Sequence, residues 1–297
     1  MDYKVQDNSF GIADFQTELL LILHEFEKIC DRYGLRWWTT GGTSIGALRH
    51  RGFIPWDDDL DVVMPRPDYE RLWALQDEIN RDSRFILTRT GEEKNYHHRV
   101  MQLVDTETTF IHARSAQEDL EHGVYIDIIP LDARAPGKLG YARQVLNAMA
   151  FSVYNIQCLP EYKSGRTVAR LTALALWLVK NKKLRWRIWR HCEKEMTKYD
   201  WDGAKQIVNL VCDTKSMLRP YDAAAFRDTQ KQAFEDMEVN LPVGAQEILR
   251  DYFGDFMQLP PEKDRHPVHN TRLIDLEHPY TAYKGKYYCV GKETGAE

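Results

Sequence analysis

The sequence predicts an α+β protein: a mixed sheet with flanking helices in residues 1–134, followed by a mostly helical part in residues 135–297 that packs on it. Strand and helix patterns alternate in the first part, whereas residues 135–198 keep a helical pattern, with Gly and Pro only near loops. A third observation is a run of carboxylates at the start of an apolar strand, residues 57–64. With 297 residues, 43% of them hydrophobic, the chain is long enough to bury a sizeable core.

The elements of the first part follow from apolar spacing and turn residues. Helices are expected at residues 13–33, 43–50 and 67–80, and strands near residues 35–40, 60–64, 84–88, 99–105 and 123–131. Pro130 is expected to end the last strand, because proline cannot donate to a ladder. Beyond Pro220 the pattern predicts shorter helices and turns.

The carboxylate run lies in "PWDDDLDVVM", residues 55–64. Side chains alternate along a strand, so Asp59 and Asp61 point the same way, with Cα atoms roughly 7 Å apart. Two like charges this close raise each other's pKa unless a cation lies between them. Carboxylate oxygens suit Mg²⁺ or Mn²⁺, so the run predicts a divalent-metal site.

A second feature precedes this run. "TTGGTS", residues 39–44, places Gly41 and Gly42 where a strand meets a helix. Glycine permits positive φ and close backbone approach, and the N–H groups at a helix start favour anions. A phosphate site joined to a metal site by one short helix predicts binding of a nucleoside diphosphate or triphosphate.

The whole stretch "GGTSIGALRHRGFIPWDDDLDVVM", residues 41–64, resembles the signature of the LicD family, which the fukutin-type ribitol-phosphate transferases share. Two further stretches are similar to family motifs: "YIDIIPLD", residues 125–132, and "YFGDFMQLPPEKDRHPVH", residues 252–269. The resemblance implies a nucleotidyltransferase fold with a polymerase-β-like palm.

Carried onto this sequence, the resemblance implies that the metal ligands and catalytic carboxylates are Asp59, Asp61 and Asp127. An acid flanked by apolar residues in "VYIDI" is also a poor place for an unpaired charge. The phosphates of the donor would be held by Gly41, Gly42, Thr43 and Ser44.

Several further residues have two interpretations. Asp57 and Asp58 either orient the metal ligands or contact a cationic substrate head. Arg49, with His50 beside it, faces either the pyrophosphate or solvent. The stretch His97, His98 and Arg99 is a candidate substrate contact in a polar segment before a strand.

The family implies transfer of a phospho-alcohol group, such as phosphocholine, from a CDP-activated donor to a sugar hydroxyl of a cell-surface glycan such as lipopolysaccharide, teichoic acid or capsule, with release of CMP. Positioning and charge neutralisation dominate such chemistry. Two alternatives stay open: a nucleotidyltransferase that uses an NTP donor, and a non-catalytic protein that binds nucleotide or metal.

Bulk properties concern location and partners. The net charge of −5 gives no general nucleic-acid signal, and the N-terminus lacks the pattern of a signal peptide, so a cytoplasmic protein is expected. Five scattered cysteines fit reduced thiols. Residues 163–194 hold ten Lys or Arg, one Glu and three Trp. This segment predicts either a solvated basic helix face or contact with an anionic membrane.

Overall fold

The computed structural model describes residues 4–113, 115–157, 166–267 and 271–290, and the side chains of residues 166–169 are not described. Its helices are α1 (Ala13–Tyr33), α2 (Gly41–Arg49), α3 (Arg66–Ala74), α4 (Gln76–Ile79), α5 (Gly137–Ile156), α6 (Arg166–Leu178), α7 (Lys182–Thr197), α8 (Thr214–Met217) and α9 (Ala245–Phe253). Its strands are β1 (Trp38–Thr39), β2 (Asp61–Pro65), β3 (Phe85–Thr88), β4 (Met101–Asp105), β5 (Thr109–His112), β6 (Val124–Ala133), β7 (Gln206–Val208), β8 (Tyr221–Asp222), β9 (Thr229–Phe234), β10 (Met237–Pro242) and β11 (Thr271–Asp275).

The central sheet has the strand order β1-β2-β6-β4-β3. Strands β2 and β6 are parallel, and the other neighbouring pairs along this path are antiparallel. Strand β7 joins the far end of β6 and pairs with β8. The expected α+β class with a mixed sheet is therefore confirmed, and so is each strand predicted in residues 35–131.

The prediction that Pro130 ends its strand is wrong, because β6 continues to Ala133. The N–H of Asp127 points toward β2 and donates to the carbonyl oxygen of Leu60. Backbone groups alternate sides along a strand, so the backbone nitrogen of residue 130 faces the opposite edge of β6. On that edge β4 begins at Met101, which pairs with Ile128. Residue 130 therefore has no β4 partner whose hydrogen bond proline would forfeit.

Apolar side chains cover both faces of the sheet. Ile126 and Ile128 of β6 face a core that includes Leu20, Leu23 and Phe26 of α1. The alternate residues Ile129 and Leu131 face a second core that α5 and α7 cover with Val145, Phe151 and Trp189. The period of two in β6 thus places Asp127 on the same face as the second core.

The helices expected between residues 135 and 198 are confirmed as α5, α6 and α7. Beyond residue 220 the structure differs from the expected helices and turns, since β9 and β10 form an antiparallel hairpin. Phe234, Val239 and Leu241 of this hairpin are fully buried in the core beneath α1.

The expected helix at residues 67–80 is divided at Leu75 into α3 and α4. In the part of the chain that the structure describes, no helix is both long and apolar enough to cross a bilayer.

Candidate active site

The glycine turn, Gly41 and Gly42, lies where β1 leads into α2. Thr40 is extended, and Gly41 has φ +54°, a left-handed conformation that favours glycine. A Cβ on residue 42 would lie 2.4 Å from Asp57 Oδ2, so the carboxylate of Asp57 rests against the first turn of the helix. The predicted anion site is therefore bordered by an acid of the protein itself.

The hydroxyl groups of Thr43 and Ser44 point into the protein. Thr43 Oγ1 accepts a hydrogen bond from the N–H of Asp61 at 3.0 Å, and Ser44 Oγ lies 2.9 Å from Thr39 Oγ1. Both residues are buried. Their side chains fix the start of α2 to β1 and β2, which sets the position of the glycine turn relative to Asp61.

The loop that carries the acids is fastened to α1. The fully buried side chain of Gln16 donates from Nε2 to the carbonyl oxygens of Ile54 and Asp57, at 3.0 and 2.9 Å. Each carbonyl oxygen accepts one hydrogen bond from the Gln16 amide, which is shielded from water. The segment before β2 is thereby held in one position, with Asp58 buried and Asp57 and Asp59 half-buried.

Asp61 and Asp127 are direct neighbours. They are Cα partners in the register of the parallel strands β2 and β6, whose spacing is about 4.8 Å. Gln102 of β4 is the partner of Asp127 on its other side, and its Nε2 donates to Asp127 Oδ1 at 2.7 Å. Two of the three acids that the resemblance implied as metal ligands thus lie side by side on neighbouring strands.

The carboxylate cleft is a solvent-open space of about 260 Å³ between these strands. Its lining residues are Asp58, Asp59, Leu60, Asp61, Phe110, Tyr125 and Asp127. Burial raises the pKa of Asp61 well above its usual range, and the charges of Asp59, Asp127 and Asp57 raise it further. Three predicted metal ligands therefore line one cleft, at mutual electrostatic cost.

The chemistry of this donor set fits a hard divalent cation. Within the described ranges, no three His, Cys, Asp or Glu side chains already stand in the arrangement of a metal site. Asp59, Asp61 and Asp127 nevertheless share one cleft and repel one another, so side-chain rotation toward a cation would relieve repulsion.

A second group of residues borders the two acids from the α5 side. Burial raises the pKa of Cys212 to about 12; the charge of Asp61 raises it further, that of Arg99 lowers it, and that of Asp127 raises it. Arg99 donates to Ser152 Oγ of α5 at 3.3 Å. Arg99 is the residue of the 97–99 stretch that is charged at every physiological pH.

The neighbouring histidines have backbone partners. His97 Nδ1 lies 2.8 Å from the carbonyl oxygen of Ile156, and His98 Nδ1 lies 2.9 Å from that of Val100. These contacts fix the loop that carries Arg99.

A cavity lined by uncharged residues lies further along the same face of the sheet, and its volume of about 390 Å³ includes space open to solvent. Val63 and Leu131, two of its lining residues, are two and four positions beyond Asp61 and Asp127 on the same strand faces. Thr40 and Ser44 line it from the helix start, and the buried Asn209 supplies an amide. The glycine turn therefore lies between the carboxylate cleft and this cavity.

Arg49 contacts the third sequence motif. Its Nη1 donates to the carbonyl oxygens of Phe256 and Gln258, at 2.6 and 3.2 Å. The Phe256 ring packs with Ile45 and Ile54, and the Arg265 guanidinium lies 5.7 Å from the Trp56 ring centroid. The 252–267 part of the motif thus covers α2 and the loop after it. Residues 268–269 lie outside the described residues.

Two residues that hold this site, Gln16 and Gln102, were missing from the sequence-based set. The available signal was an amide at a position where the surrounding pattern is apolar, as in "VMQLV", residues 100–104. A buried amide needs hydrogen-bond partners, and it often takes them from a neighbouring functional group.

Comparison with known proteins finds a matching family model. Residues 34–137, which include β1, α2, β2 and β6, match the family model described as LicD/FKTN/FKRP, nucleotidyltransferase domain. The chain is 27% identical over 260 residues to the lipopolysaccharide cholinephosphotransferase LicD of Haemophilus influenzae. The aligned residues are 87% of this chain and 96% of the relative.

Two uncharacterized proteins, from Rickettsia prowazekii and Rickettsia typhi, are each 34% identical over 50 residues. These matches cover 17% of this chain and 19% and 16% of the two relatives. The resemblance inferred from the motifs is confirmed: residues 34–137 match the LicD family model, and most of the chain is similar to a LicD protein.

Proposed function

We propose that this protein is a metal-dependent transferase that moves phosphocholine, or a related phospho-alcohol group, from a CDP-activated donor to a sugar hydroxyl of a cell-surface glycan and releases CMP. The observation that carries the proposal is the register pairing of Asp61 with Asp127 in one cleft with Asp59, next to the glycine turn. The whole-length similarity to a lipopolysaccharide cholinephosphotransferase supports the substrate class.

In this proposal residues 1–134 form a polymerase-β-like catalytic core, and residues 135–297 complete the site through Asn209, Cys212 and the covering 252–267 segment. Asp59, Asp61 and Asp127 would hold Mg²⁺ or Mn²⁺, which would neutralise charge on the transferred phosphoryl group. Gln102 holds Asp127 in place, and Arg99 adds a positive charge on the α5 side.

The donor's phosphates are proposed to lie over the N–H groups at the start of α2, beside Gly41 and Gly42. Thr43 and Ser44 position that start rather than offering exposed hydroxyls. The nucleoside would then lie in the uncharged cavity beyond the turn. Ile248→Phe at the wall of that cavity is expected to raise KM for the donor and leave KM for the acceptor unchanged. A donor KM equal to that of wild type would exclude this placement.

The transfer is tested by incubating the purified chain with CDP-choline, Mg²⁺ and a lipopolysaccharide-derived oligosaccharide. CMP release that depends on both the cation and the oligosaccharide, with a phosphocholine mass increment on the acceptor, is the expected result. Asp59→Asn and Asp61→Asn are expected to abolish the signal while the thermal unfolding transition persists. Turnover near the wild-type rate in either variant would refute the assigned carboxylates.

A nucleotidyltransferase that uses an NTP is the second candidate, and the family description of residues 34–137 as a nucleotidyltransferase domain favours it. The two functions differ in the donor consumed. Parallel reactions with CTP, ATP and CDP-choline separate them, because an NTP-dependent enzyme releases pyrophosphate rather than CMP. Binding of CDP-choline with no turnover on any acceptor would instead indicate a non-catalytic protein.

A further inference from the structure

Helix α6 presents a stripe of large apolar side chains to solvent. Leu171, Leu174, Trp177 and Leu178 are 62%, 50%, 63% and 66% exposed. Their spacing of three, six and seven residues places them on one side of a helix. Single exposed apolar residues are common, but four on one helix face mark an interaction surface.

A group of cations follows this stripe directly. Lys180, Lys182, Lys183 and Arg187 are exposed at the end of α6 and the start of α7, and Lys180 Nζ lies 5.8 Å from the Trp177 ring centroid. The sequence contains no Asp or Glu from residue 166 to residue 192. Within residues 166–192 the charged neighbours of the stripe in the sequence are therefore all positive.

Two other basic residues of the segment serve the fold. Arg185 donates to the carbonyl oxygens of Val179 and Leu176 and to Gln157 Oε1, which fastens the end of α6 to α7 and α5. Arg190 pairs with Glu193. Residues 163–165 of the basic segment lie outside the described residues. Arg170 and Lys194 of the segment are exposed as well, and the four cations named above are the exposed ones grouped at the junction of α6 and α7.

We propose that the α6 stripe and these four cations dock on an anionic phospholipid surface. Leucine and tryptophan on one side, with lysine and arginine beside them, is the composition of helices that lie in a membrane interface. Residues 163–194 carry a formal charge of +9 and the rest of the chain −14, so the attraction is confined to this face. A nucleic acid would use the cations and leave the leucines in water.

The docking face is connected to the loop that borders the acids. Tyr154 OH of α5 donates to the carbonyl oxygen of Ala175 of α6 at 3.4 Å. The same end of α5 contacts His97 through Ile156 and Arg99 through Ser152. A docked chain would hold the carboxylate cleft near the surface where a lipid-linked acceptor lies. The docking itself does not depend on the proposed transfer reaction.

Vesicle co-sedimentation with the full-length chain tests the proposal. Wild-type protein is mixed with vesicles of phosphatidylcholine containing phosphatidylglycerol, and with pure phosphatidylcholine vesicles, at low and high salt. Binding is expected only with the anionic lipid and is expected to weaken with salt. The variant Lys180→Gln/Lys182→Gln/Lys183→Gln/Arg187→Gln is expected to lower the partition coefficient at least about 100-fold.

A matched control removes the same number of exposed charges elsewhere: Arg81→Gln, Arg227→Gln, Arg250→Gln and Lys286→Gln. This control is expected to bind like wild type. A second variant, Leu174→Gln/Trp177→Gln, keeps every charge and is expected to lose binding to the anionic vesicles and the quenching of tryptophan fluorescence by brominated lipid. Because both changed side chains are exposed, the fold is expected to persist, which the thermal transition confirms.

Three results would overturn the proposal. The wild type could remain in the supernatant with anionic vesicles at low salt, or the matched control could lose as much binding as the α6–α7 variant. The stripe could instead mediate self-association or bind duplex DNA without binding vesicles, which sedimentation velocity and a DNA gel shift would reveal. Activity on a soluble oligosaccharide is not part of the readout, so failure of docking leaves the proposed transfer untouched.

Discussion

Replacing Asp61 by Asn is expected to stabilise the metal-free protein and to remove its response to divalent cations. Two unit charges about 5 to 7 Å apart repel by about 2 to 3 kcal/mol at an effective dielectric constant of about 20. Asp61 has Asp127 as its neighbour across the strand pair and Asp59 two residues before it. Solvent screens part of this repulsion, so a net stabilisation of about 1 to 3 kcal/mol is expected for the variant in chelator.

Thermal unfolding measures this effect. For a chain of this size the gain corresponds to a rise of about 2 to 6 °C in the midpoint Tm. Millimolar Mg²⁺ or Mn²⁺ is expected to raise the Tm of the wild type, since a ligand that binds only the native state stabilises it, and to leave Asp61→Asn unchanged. Transfer activity is expected to vanish in the same variant.

The control is Asp202→Asn, which removes an exposed acid far along the chain and is expected to keep the cation response of the wild type. A metal-free Asp61→Asn protein that is less stable than wild type would refute the repulsion argument. A wild type whose Tm is indifferent to both cations would refute the metal site itself. Because these readouts do not use activity, they separate the metal assignment from the identity of the substrate.

Three further predictions concern single residues. Gln102→Leu removes the hydrogen bond to Asp127, so kcat is expected to fall about 10- to 100-fold with the fold intact. Gln102→Glu adds a charge beside Asp127 and is expected to lower kcat further. Equal rates for Gln102→Leu and wild type would contradict the positioning role. Gly42→Ala pushes only the Asp57 carboxylate and is expected to weaken donor binding with little change in Tm, whereas Gly46→Ala meets the carbonyl oxygen of Gly52 at 2.4 Å and is expected to lower Tm by several degrees; the reverse order in a thermal-shift assay would refute this distinction. Burial raises the pKa of Glu18 to about 8, so the native state holds this proton more tightly than the unfolded chain does. The free energy of unfolding is therefore expected to fall as pH rises from about 4.5 through about 8. Glu18→Gln is expected to flatten this part of the stability profile, and a profile as steep as that of wild type would show that another group is responsible.

The part of the fold that carries the candidate site was predictable because its strands have strong local signals. Strand β2 is an apolar run that begins at Asp61, β6 is an apolar run that contains Asp127 and Asp132, and α2 begins at a glycine pair. Apolar alternation fixes which face Asp61 and Asp127 share. The direct pairing of Asp61 with Asp127 could not be predicted from local pattern, because the register between parallel strands depends on contacts between residues far apart in the chain.

The hairpin β9–β10 could not be predicted in this way. Its two-residue turn is Glu235-Asp236 rather than the Asn-Gly type that marks hairpins, and β9 is exposed along most of its length. The hairpin is fixed by long-range contacts instead: the N–H of Glu235 donates to the carbonyl oxygen of Arg51, and its carboxylate accepts from the N–H of Phe53. A Cβ at residue 52 would collide with the same carboxylate, so a larger residue there would have to displace it.

The extension of β6 through Pro130 and the roles of Gln16 and Gln102 share a physical cause. Each depends on what lies beside the residue in space: an edge without β4 at Pro130, two carbonyl groups beside Gln16, and Asp127 beside Gln102. Local propensity carries no information on these neighbours. The ligand roles of Asp59, Asp61 and Asp127 and the phosphate role of the glycine turn stay predictions, for which the cleft supplies the geometry.

The electrostatics of the site imply an order of binding. Asp57 lies against the first turn of α2, where the donor's phosphates are proposed to lie, and Asp59, Asp61 and Asp127 line the adjoining cleft. An anionic donor that approached this surface alone would meet four carboxylates of like sign. A divalent cation held by the acids would reduce this negative charge and would let the phosphates approach the N–H groups of the glycine turn. Since such coupling is reciprocal, the cation is expected to tighten donor binding by the same factor by which the donor tightens cation binding. Titration of a CDP-alcohol in chelator and in Mg²⁺ measures this factor, and equal donor affinities in the two conditions would show that the carboxylates do not face the donor.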